Sequence, residues 1–178
     1  MQAETERPAV RSFEPAAGFH TLTAIANVAM RPLLRSRVGA RMHEVALLSF
    51  TGRRTGTRYT VPVGYHELDG DGIVLTASGW RVNLRGGADV DLTHDGVSRP
   101  MHAELVEDPR EVARIYAELL RRTGVERSAT KVGLKVLVDR MPSEDEIRDA
   151  IVAGRRAAVR LTPRSRGVSP RGSAGSSP

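Results

Sequence analysis

Two apolar runs on either side of a short polar segment form the strongest hydrophobic pattern in the chain. The first run covers residues 45–50 and the second covers 58–66, and the segment between them contains Gly52 and Gly56. Glycines that bound a short polar stretch between two β-type runs are typical of a hairpin with a longer loop. The pattern therefore predicts a β-hairpin with its turn at residues 51–57.

More β-type runs follow this hairpin, separated by turn signals. Gly70 and Gly72 mark a turn before the third strand, Gly79 ends that strand, and a helical turn is expected directly after it, over residues 80–85. Asp95-Gly96 is the best two-residue hairpin signal in the chain. The strands predicted after the first hairpin cover residues 73–78, 88–94, 97–106 and 157–161.

Helical patterns flank the strands. A helix with an apolar face begins near Ala16 and is interrupted at Pro32, Asp108 caps a second helix that ends at Gly124, and Ser143 caps a third. Glu111 and Glu146 complete the predicted capping boxes of the last two helices. Antiparallel strands in a row, with helices outside the run, predict an α+β fold built on a small β-barrel.

The length of 178 residues fits one domain with tails. Residues 1–14 are expected to be a flexible lead and residues 15–161 the folded domain. Residues 162–178 are rich in Ser, Gly, Pro and Arg, a composition that cannot bury a core, so a disordered tail is expected there.

Positive charge is concentrated near the first hairpin. The chain carries a net charge of +6, and the segment 31–58 alone holds seven arginines against one acid, Glu44. Arg53, Arg54 and Arg58 crowd one end of the hairpin, where forked guanidinium donors suit a phosphate. Gly52 and Gly56 allow backbone N–H groups to approach such an anion. The turn is thus predicted to bind an anion, with a solvated arginine-rich tip as the alternative.

Other classes of site have little support. Cysteine is absent, which excludes disulfides and thiolate chemistry. The register of the Asp95-Gly96 hairpin puts Asp89 opposite His102 and His94 opposite Val97, so these histidines are not expected to converge on a metal. The few aromatic residues are not interleaved with the arginines, so nucleic acid is not an expected partner.

The N-terminal region gives the expected location. It shows no secretory signal, and the longest uncharged run, residues 15–30, is too short and too polar to span a bilayer. A cytoplasmic protein is therefore expected. The alternative is peripheral membrane contact through the N-terminal helix, which is apolar on one face and basic at its end.

Four motifs occur in a fixed order along the chain: Thr51-Gly52-Arg53-Arg54-Thr55-Gly56, Arg58-Tyr59-Thr60-Val61-Pro62-Val63-Gly64-Tyr65, Thr76-Ala77-Ser78-Gly79, and Trp80-x-x-Asn83-Leu84-Arg85-Gly86-Gly87-Ala88. Together they resemble the deazaflavin-dependent nitroreductase and quinone reductase family, a branch of the flavin/deazaflavin oxidoreductases. The resemblance covers residues 19–161. It implies a split β-barrel of about six mainly antiparallel strands with peripheral helices.

The resemblance also implies a cofactor and a site. The cofactor is coenzyme F-420, a deazaflavin with a phosphodiester and oligoglutamate tail, with FMN as the alternative. Tyr65 and Ser78 would lie nearest the substrate as catalytic residues. The residues expected to hold the phosphate are Thr51, Gly52, Arg53, Arg54, Thr55, Gly56 and Arg58, and those expected to border the ring are Pro62, Val63, Ser78, Gly79, Trp80 and Asn83.

The implied activity is hydride transfer from reduced F-420 to a small-molecule electron acceptor: a quinone, nitro compound or activated alkene. The connection Ser78-Gly79-Trp80 is shorter than is common in the family, and no aromatic residue follows Tyr116, which together favour a small acceptor. A non-catalytic binder of a deazaflavin, a flavin or a lipid-like anion is the alternative from another functional class. Either a monomer or a homodimer fits the sequence.

Overall fold

A computed structural model describes residues 8–12, 44–127 and 132–164 of the chain. It contains nine strands, two α-helices and two short 3₁₀ helices in these ranges. The strands are β1 (Val10–Ser12), β2 (Val45–Thr51), β3 (Arg58–Gly64), β4 (His66–Leu68), β5 (Asp71–Thr76), β6 (Ala88–His94), β7 (Val97–Val106), β8 (Leu134–Val136) and β9 (Ala157–Pro163). The helices are η1 (Gly79–Leu84), α1 (Pro109–Thr123), η2 (Val125–Arg127) and α2 (Glu144–Ala153).

Seven strands form one antiparallel sheet in the order β3-β2-β6-β7-β9-β5-β4. Strands β3 and β4 lie at opposite ends of this order, yet only Tyr65 separates them along the chain. Six strand spacings would place these edges about 29 Å apart in a flat sheet. Because a link of two peptide steps reaches only about 7.6 Å, the sheet must curl until its edges meet. The predicted split β-barrel is confirmed, with seven strands rather than about six.

The extra strand arises from the second apolar run of the hairpin. Residues 58–66 were expected to form one strand, but the ladder with β2 ends at Gly64 and a new ladder with β5 begins at His66. The run thus changes its pairing partner at Tyr65. This change of partner joins the two edges of the sheet.

Two hydrophobic cores follow from the alternation along the strands. One fills the barrel with residues that point inward, among them Leu48, Phe50, Val74, Leu92 and Val159. The second lies between the barrel and the two helices and includes Tyr116, Leu120, Leu134, Ile147 and Ile151, all nearly inaccessible to solvent. The helices therefore cover one side of the barrel, as expected for an α+β fold.

Helix capping agrees with the sequence in most details. The Asp108 carboxylate accepts hydrogen bonds from the Arg110 and Glu111 amides at the start of α1. Ser143 and Glu146 form the predicted capping box of α2. The capping box expected with Glu111 is not formed. The Glu111 carboxylate instead accepts a hydrogen bond from Arg160 of β9 (3.3 Å), which connects α1 to the barrel.

Three strand predictions need correction. The third strand ends at Thr76 rather than Ser78, because the Thr76 hydroxyl accepts a hydrogen bond from the Ser78 amide (3.0 Å) and the chain turns into η1. The last strand continues beyond Leu161, and its added residues pair with β7. Strands β1 and β8, which pair with each other, were not predicted. Of these, β1 lies inside the expected lead.

The helix expected from Ala16 and the tail after Arg164 lie outside the described residues. Within the described ranges, no helix combines the length and apolar character needed to cross a membrane.

Candidate functional site

The turn at residues 51–57, called here the arginine turn, has a defined backbone geometry. The Gly52 amide donates to the Thr57 carbonyl (2.8 Å), and the Gly56 amide donates to the Gly52 carbonyl (2.9 Å). A Cβ at Gly52 would lie 2.7 Å from Cε2 of Tyr59, so any side chain there would have to displace the Tyr59 ring. Gly56 has φ +67°, in the left-handed region. The two glycine amides are therefore used inside the turn.

The remaining amides of the turn have different surroundings. The Thr57 amide donates to the hydroxyl of Thr55 (3.3 Å), and the Arg53 amide donates to Oδ1 of Asn83 (3.1 Å). Among the described residues, the amides of Arg54 and Thr55 have no hydrogen-bond partner. Two consecutive N–H groups at the exposed tip are thus not used by any other described residue.

The three arginines of the turn do not share one environment. Nη1 of Arg53 donates to the Arg85 carbonyl (3.0 Å), and the Arg58 guanidinium forms an ion pair with Asp91 on β6. Arg54 is exposed, and its side chain has no partner within the described ranges. The crowding of positive charge that the sequence indicated is thus relieved for Arg53 and Arg58 by groups of the protein itself. Within the described part of the chain, no group competes with a ligand for the donors of Arg54.

The 3₁₀ helix η1 lies against the arginine turn. Besides accepting from Arg53, Asn83 donates through Nδ2 to the Trp80 carbonyl (2.8 Å). Nη1 of Arg81 donates to the carbonyls of Ala77 and Ser78 (2.7 and 3.0 Å). These two hydrogen bonds hold residues 77 and 78, which precede η1, in place. The sequence reasoning missed Arg81 as part of this site.

Aromatic rings close the barrel beneath the turn. Trp80 stacks on Phe50 with ring centroids 5.5 Å apart, and Phe50 stacks on Tyr59 at 5.8 Å. Phe50 is buried, Trp80 is half-buried and Tyr59 is exposed. The Trp80 indole therefore packs onto the barrel core with one side, which reduces the surface it can offer to a flat ring.

An ion pair anchors the far side of η1. The Arg85 guanidinium donates two hydrogen bonds to the Glu107 carboxylate (2.8 and 2.9 Å), and these bonds lower the pKa of Glu107. Arg85 lies in the last sequence motif, but nothing in the sequence indicated its pairing with Glu107, which is 22 residues away.

Contacts between two connecting segments bring these elements to one end of the barrel. Residues 51–58 follow from β2 and residues 77–87 join β5 to β6, and the two segments meet through the hydrogen bonds of Arg53 with Asn83 and Arg85. This end is called the mouth below. It holds the arginine turn, η1 and Ser78, whose side chain is exposed and has no partner among the described residues. Ser78, Gly79, Trp80 and Asn83 are thus brought together with Arg53 and Arg54.

Tyr65 lies elsewhere. Its ring lies against Gly72, the second residue of β5, and packs on His94 with ring centroids 4.4 Å apart. Gly72 lies near the start of β5, and Ser78 follows the end of this strand at Thr76. The four residue steps from Gly72 to Thr76 alone span about 13 Å. Burial and the Glu67 carboxylate, which accepts from the Tyr65 hydroxyl (3.4 Å), raise the pKa of Tyr65. The structure does not bring the two expected catalytic residues together.

Pro62 and Val63 lie on opposite faces of β3, as neighbours in a strand must. Val63 points into the barrel core and is buried. Pro62 is paired with Leu47 on an edge strand, where the missing N–H is tolerated. Of these two residues, Pro62 alone can therefore offer its side chain to a ligand on the outer face of the strand.

The predicted register of the Asp95-Gly96 hairpin is confirmed. Asp89 pairs with His102 and His94 pairs with Val97. Over the described ranges, no group of three or more His, Cys, Asp or Glu side chains has the arrangement of a metal site.

Comparison with known proteins identifies the family. Residues 25–140, more than half of the chain, match the model of the "F420H(2)-dependent quinone reductase" family. The chain belongs to this family. Its cofactor is therefore coenzyme F-420, which the sequence motifs had implied, and FMN stands only as an alternative. Membership also makes the protein an F-420-dependent reductase in the broad sense.

Several solved structures are similar at low sequence identity. One is described as "F420-H2 Dependent Reductase (FDR-A)", with 16% identity over 66% of this chain and 93% of that chain and a TM-score of 0.40. A pyridoxamine 5'-phosphate oxidase-related, FMN binding protein from Nostoc punctiforme shows 13% identity over 85% and 82%, with a TM-score of 0.40. The FAD and heme binding protein from Mycobacterium smegmatis shows 15% identity over 75% and 66%, with a TM-score of 0.41. No protein with a curated description matches the chain.

The donors at the mouth fit the anionic part of the family's cofactor. A phosphate accepts several hydrogen bonds at once, and Arg54 offers a forked guanidinium beside two backbone N–H groups. The described residues also leave space next to Ser78, since a Cβ at Gly79 would meet none of their atoms within 4 Å.

Proposed function

We propose that this F-420-dependent reductase transfers a hydride to a small quinone-type acceptor at the mouth of the barrel. The observation that carries the proposal is the arginine turn. Arg54 combines a guanidinium with the amides of Arg54 and Thr55, and none of these donors has a partner among the described residues. Such a donor set is suited to the phosphodiester in the cofactor tail. The proposal thus places the tail at the arginine turn and the ring towards Ser78 and Gly79.

The proposed roles of the other turn residues follow from their contacts. Gly52 and Gly56 shape the turn, since each glycine amide is used for an internal hydrogen bond. Arg53 is bound to Arg85, and Arg58 is bound to Asp91, so both support the turn rather than contact the phosphate directly. The proposal therefore reduces the three-arginine site expected from sequence to one main ligand, Arg54.

Coenzyme F-420, when bound, supplies the hydride. Reduction of a quinone to a hydroquinone requires one proton in addition to the hydride, and its oxygens gain negative charge as the hydride arrives. The Ser78 hydroxyl is a candidate hydrogen-bond donor to such an oxygen, because it is exposed at the mouth and has no partner in the described part of the chain. Tyr65 packs at Gly72 near the start of β5, whereas Ser78 follows the end of that strand, so we assign Tyr65 no catalytic role.

A small acceptor agrees with the short connection at Ser78-Gly79-Trp80. Arg81 holds the carbonyls of Ala77 and Ser78, and the Trp80 ring is stacked on Phe50. These contacts restrict how far the segment can move to admit a large substrate. We therefore favour quinones and small activated alkenes over bulky nitroaromatic compounds.

A fluorescence titration with oxidised F-420, and in parallel with FMN, tests the binding step. Arg54→Ala should weaken F-420 binding by about tenfold or more, because a hydrogen bond to a charged group is worth about 1.5–3 kcal/mol. Arg114→Ala is the matched control. Arg114 is an exposed arginine on α1 without a partner among the described residues, so its loss removes the same charge elsewhere.

Turnover is tested by mixing the protein with reduced F-420 and menadione. Return of the oxidised cofactor's absorbance, faster than without protein, is the expected result. Equal F-420 affinities of the Arg54→Ala protein and wild type would contradict the assignment of the phosphate site. Tight binding without reduction of any quinone, nitro compound or enone would indicate a binding protein instead of an enzyme. A preference for FMN over F-420 would overturn the cofactor assignment.

A further inference from the structure

We infer that Asn83 is a positioning residue that holds the arginine turn in its anion-binding conformation, without itself contacting the cofactor. This inference rests on the proposed function, because it concerns the same phosphate site. It differs from the expectation that Asn83 borders the cofactor ring. The basis is the set of hydrogen bonds that joins residues 83–85 to Arg53.

The Asn83 carboxamide joins two backbone segments that are far apart in sequence. Its oxygen accepts from the Arg53 amide (3.1 Å), and its nitrogen donates to the Trp80 carbonyl (2.8 Å). An amide N–H can only donate and a carbonyl can only accept, so one orientation of the side chain satisfies both neighbours. Both ends of the carboxamide are thus engaged within the protein.

A second contact at the same place restrains the turn further. The Arg53 side chain donates to the Arg85 carbonyl (3.0 Å), two residues after Asn83. Arg53 is therefore held to the segment 83–85 by its amide and by its guanidinium. The bidentate pair of Arg85 with Glu107 fixes that segment in turn to the end of β7.

The consequence concerns the next residue of the turn. Arg54 directly follows Arg53, so restraint of the Arg53 peptide limits the directions in which the Arg54 and Thr55 amides can point. A binding site whose donors are already oriented loses less conformational entropy when the ligand binds. Asn83 thereby contributes to affinity for an anion through donors that it does not itself supply.

The exposure of the turn separates this role from a role in stability. Arg53 is exposed and Asn83 is half-buried, so water can replace the lost hydrogen bonds when Asn83 is truncated. We therefore expect Asn83→Ala to disorder the turn but to leave the barrel folded. Val82→Ala is the matched control, because Val82 is an exposed neighbour on η1.

The test compares two fluorescent probes, oxidised F-420 and the deazaflavin chromophore without its phosphate-bearing tail. Asn83→Ala should weaken F-420 binding about five- to tenfold, within the range for loss of one hydrogen bond. It should leave binding of the tail-free chromophore unchanged, and Val82→Ala should change neither affinity. Restraint of the Arg53 peptide also fixes the direction in which the Arg54 side chain leaves the turn. In an Arg54→Ala background, Asn83→Ala should therefore have a smaller effect, since the guanidinium is gone and only the two amides remain to be oriented.

Each alternative gives a different result. Equal weakening of both probes would show that Asn83 contacts the ring, and additive effects of the two substitutions would show that it acts independently of Arg54; either result overturns the inference. Unchanged affinity for F-420 would also overturn it. If wild-type protein bound neither probe, the proposed function itself would fail. Asn83→Ser, checked by thermal melting, provides the same comparison should the alanine variant fold poorly.

Discussion

Gly72→Ala is expected to destabilise the barrel where its two edges meet. An added Cβ at Gly72 would lie 2.7 Å from Cε2 and 3.1 Å from the hydroxyl oxygen of Tyr65, and 3.3 Å from Cβ of Leu161. Carbon atoms in contact prefer about 3.5–4.0 Å, so the ring must move. Its movement is limited because the Tyr65 amide donates to the Glu44 carbonyl (3.0 Å) and the ring packs on His94.

The cost can be placed within a range. Added methyl groups in a well-packed site cost about 1–3 kcal/mol. For a chain of this size, each kcal/mol lowers the melting temperature by about 2–4 °C, so a decrease of about 2–12 °C is expected. F-420 affinity should not change, because Gly72 lies at the end of the barrel opposite to the mouth.

Thermal melting followed by circular dichroism gives the measurement, with Gly64→Ala as the matched control. Gly64 lies next to Tyr65, but a Cβ there would meet no atom within 4 Å. That variant should melt at the wild-type temperature or slightly above it, because alanine reduces the entropy of the unfolded chain. A double variant with Tyr65→Ala should remove most of the cost of Gly72→Ala, since the clashing ring is absent.

Three results would contradict this reasoning. Equal melting temperatures for Gly72→Ala, Gly64→Ala and wild type would show that the ring moves freely. Additive losses in the double variant would show that the cost of Gly72→Ala does not come from Tyr65. A large loss of F-420 affinity in a folded Gly72→Ala protein would contradict the separation of the two ends of the barrel.

Two further predictions concern the helices. Hydrogen bonds from Arg140 and Ser143 lower the pKa of Glu146 from 4.5 to about 2, so its stabilising contribution is complete above pH 4.5 and is lost as the pH falls towards 2. The melting-temperature difference between wild type and Glu146→Gln should therefore be constant near neutral pH and shrink below pH 4.5; a constant difference down to pH 2 would contradict it. Tyr116→Phe removes a buried hydroxyl that accepts from Arg156 (3.3 Å) and should cost about 1 kcal/mol, seen as a lower urea midpoint at unchanged slope. An unchanged midpoint would show that this hydrogen bond contributes nothing.

The sequence predicted best where a local rule fixes the outcome. The Asp95-Gly96 turn set the register of β6 and β7, and both residues have the positive φ angles that such a turn requires. Alternation then determined which residues face the barrel core. In contrast, β1 and β8 are three residues long, and strands of that length show no periodicity that could be recognised.

The candidate site was harder to predict because its contacts are distant in sequence. The crowding of Arg53, Arg54 and Arg58 suggested a shared anion, but Asp91 and the Arg85 carbonyl occupy two of the three guanidiniums from more than 30 residues away. The family resemblance placed Tyr65 and Ser78 together next to the substrate. This was wrong because the order of motifs does not show at which end of a strand a side chain lies. The change of pairing partner at Tyr65 decides that point, and it is visible only in three dimensions.

The single-residue link at Tyr65 also determines where the chain can change in length. One residue inserted or deleted there would shift β4 by one position against β5 and turn its inward side chains to the outside. The arginine turn and η1 are connections between elements, so their lengths can vary while the ladders stay paired. Descendants of this sequence are therefore free to acquire new acceptors by insertions at one rim of the barrel, while the length of the link at the opposite rim stays fixed.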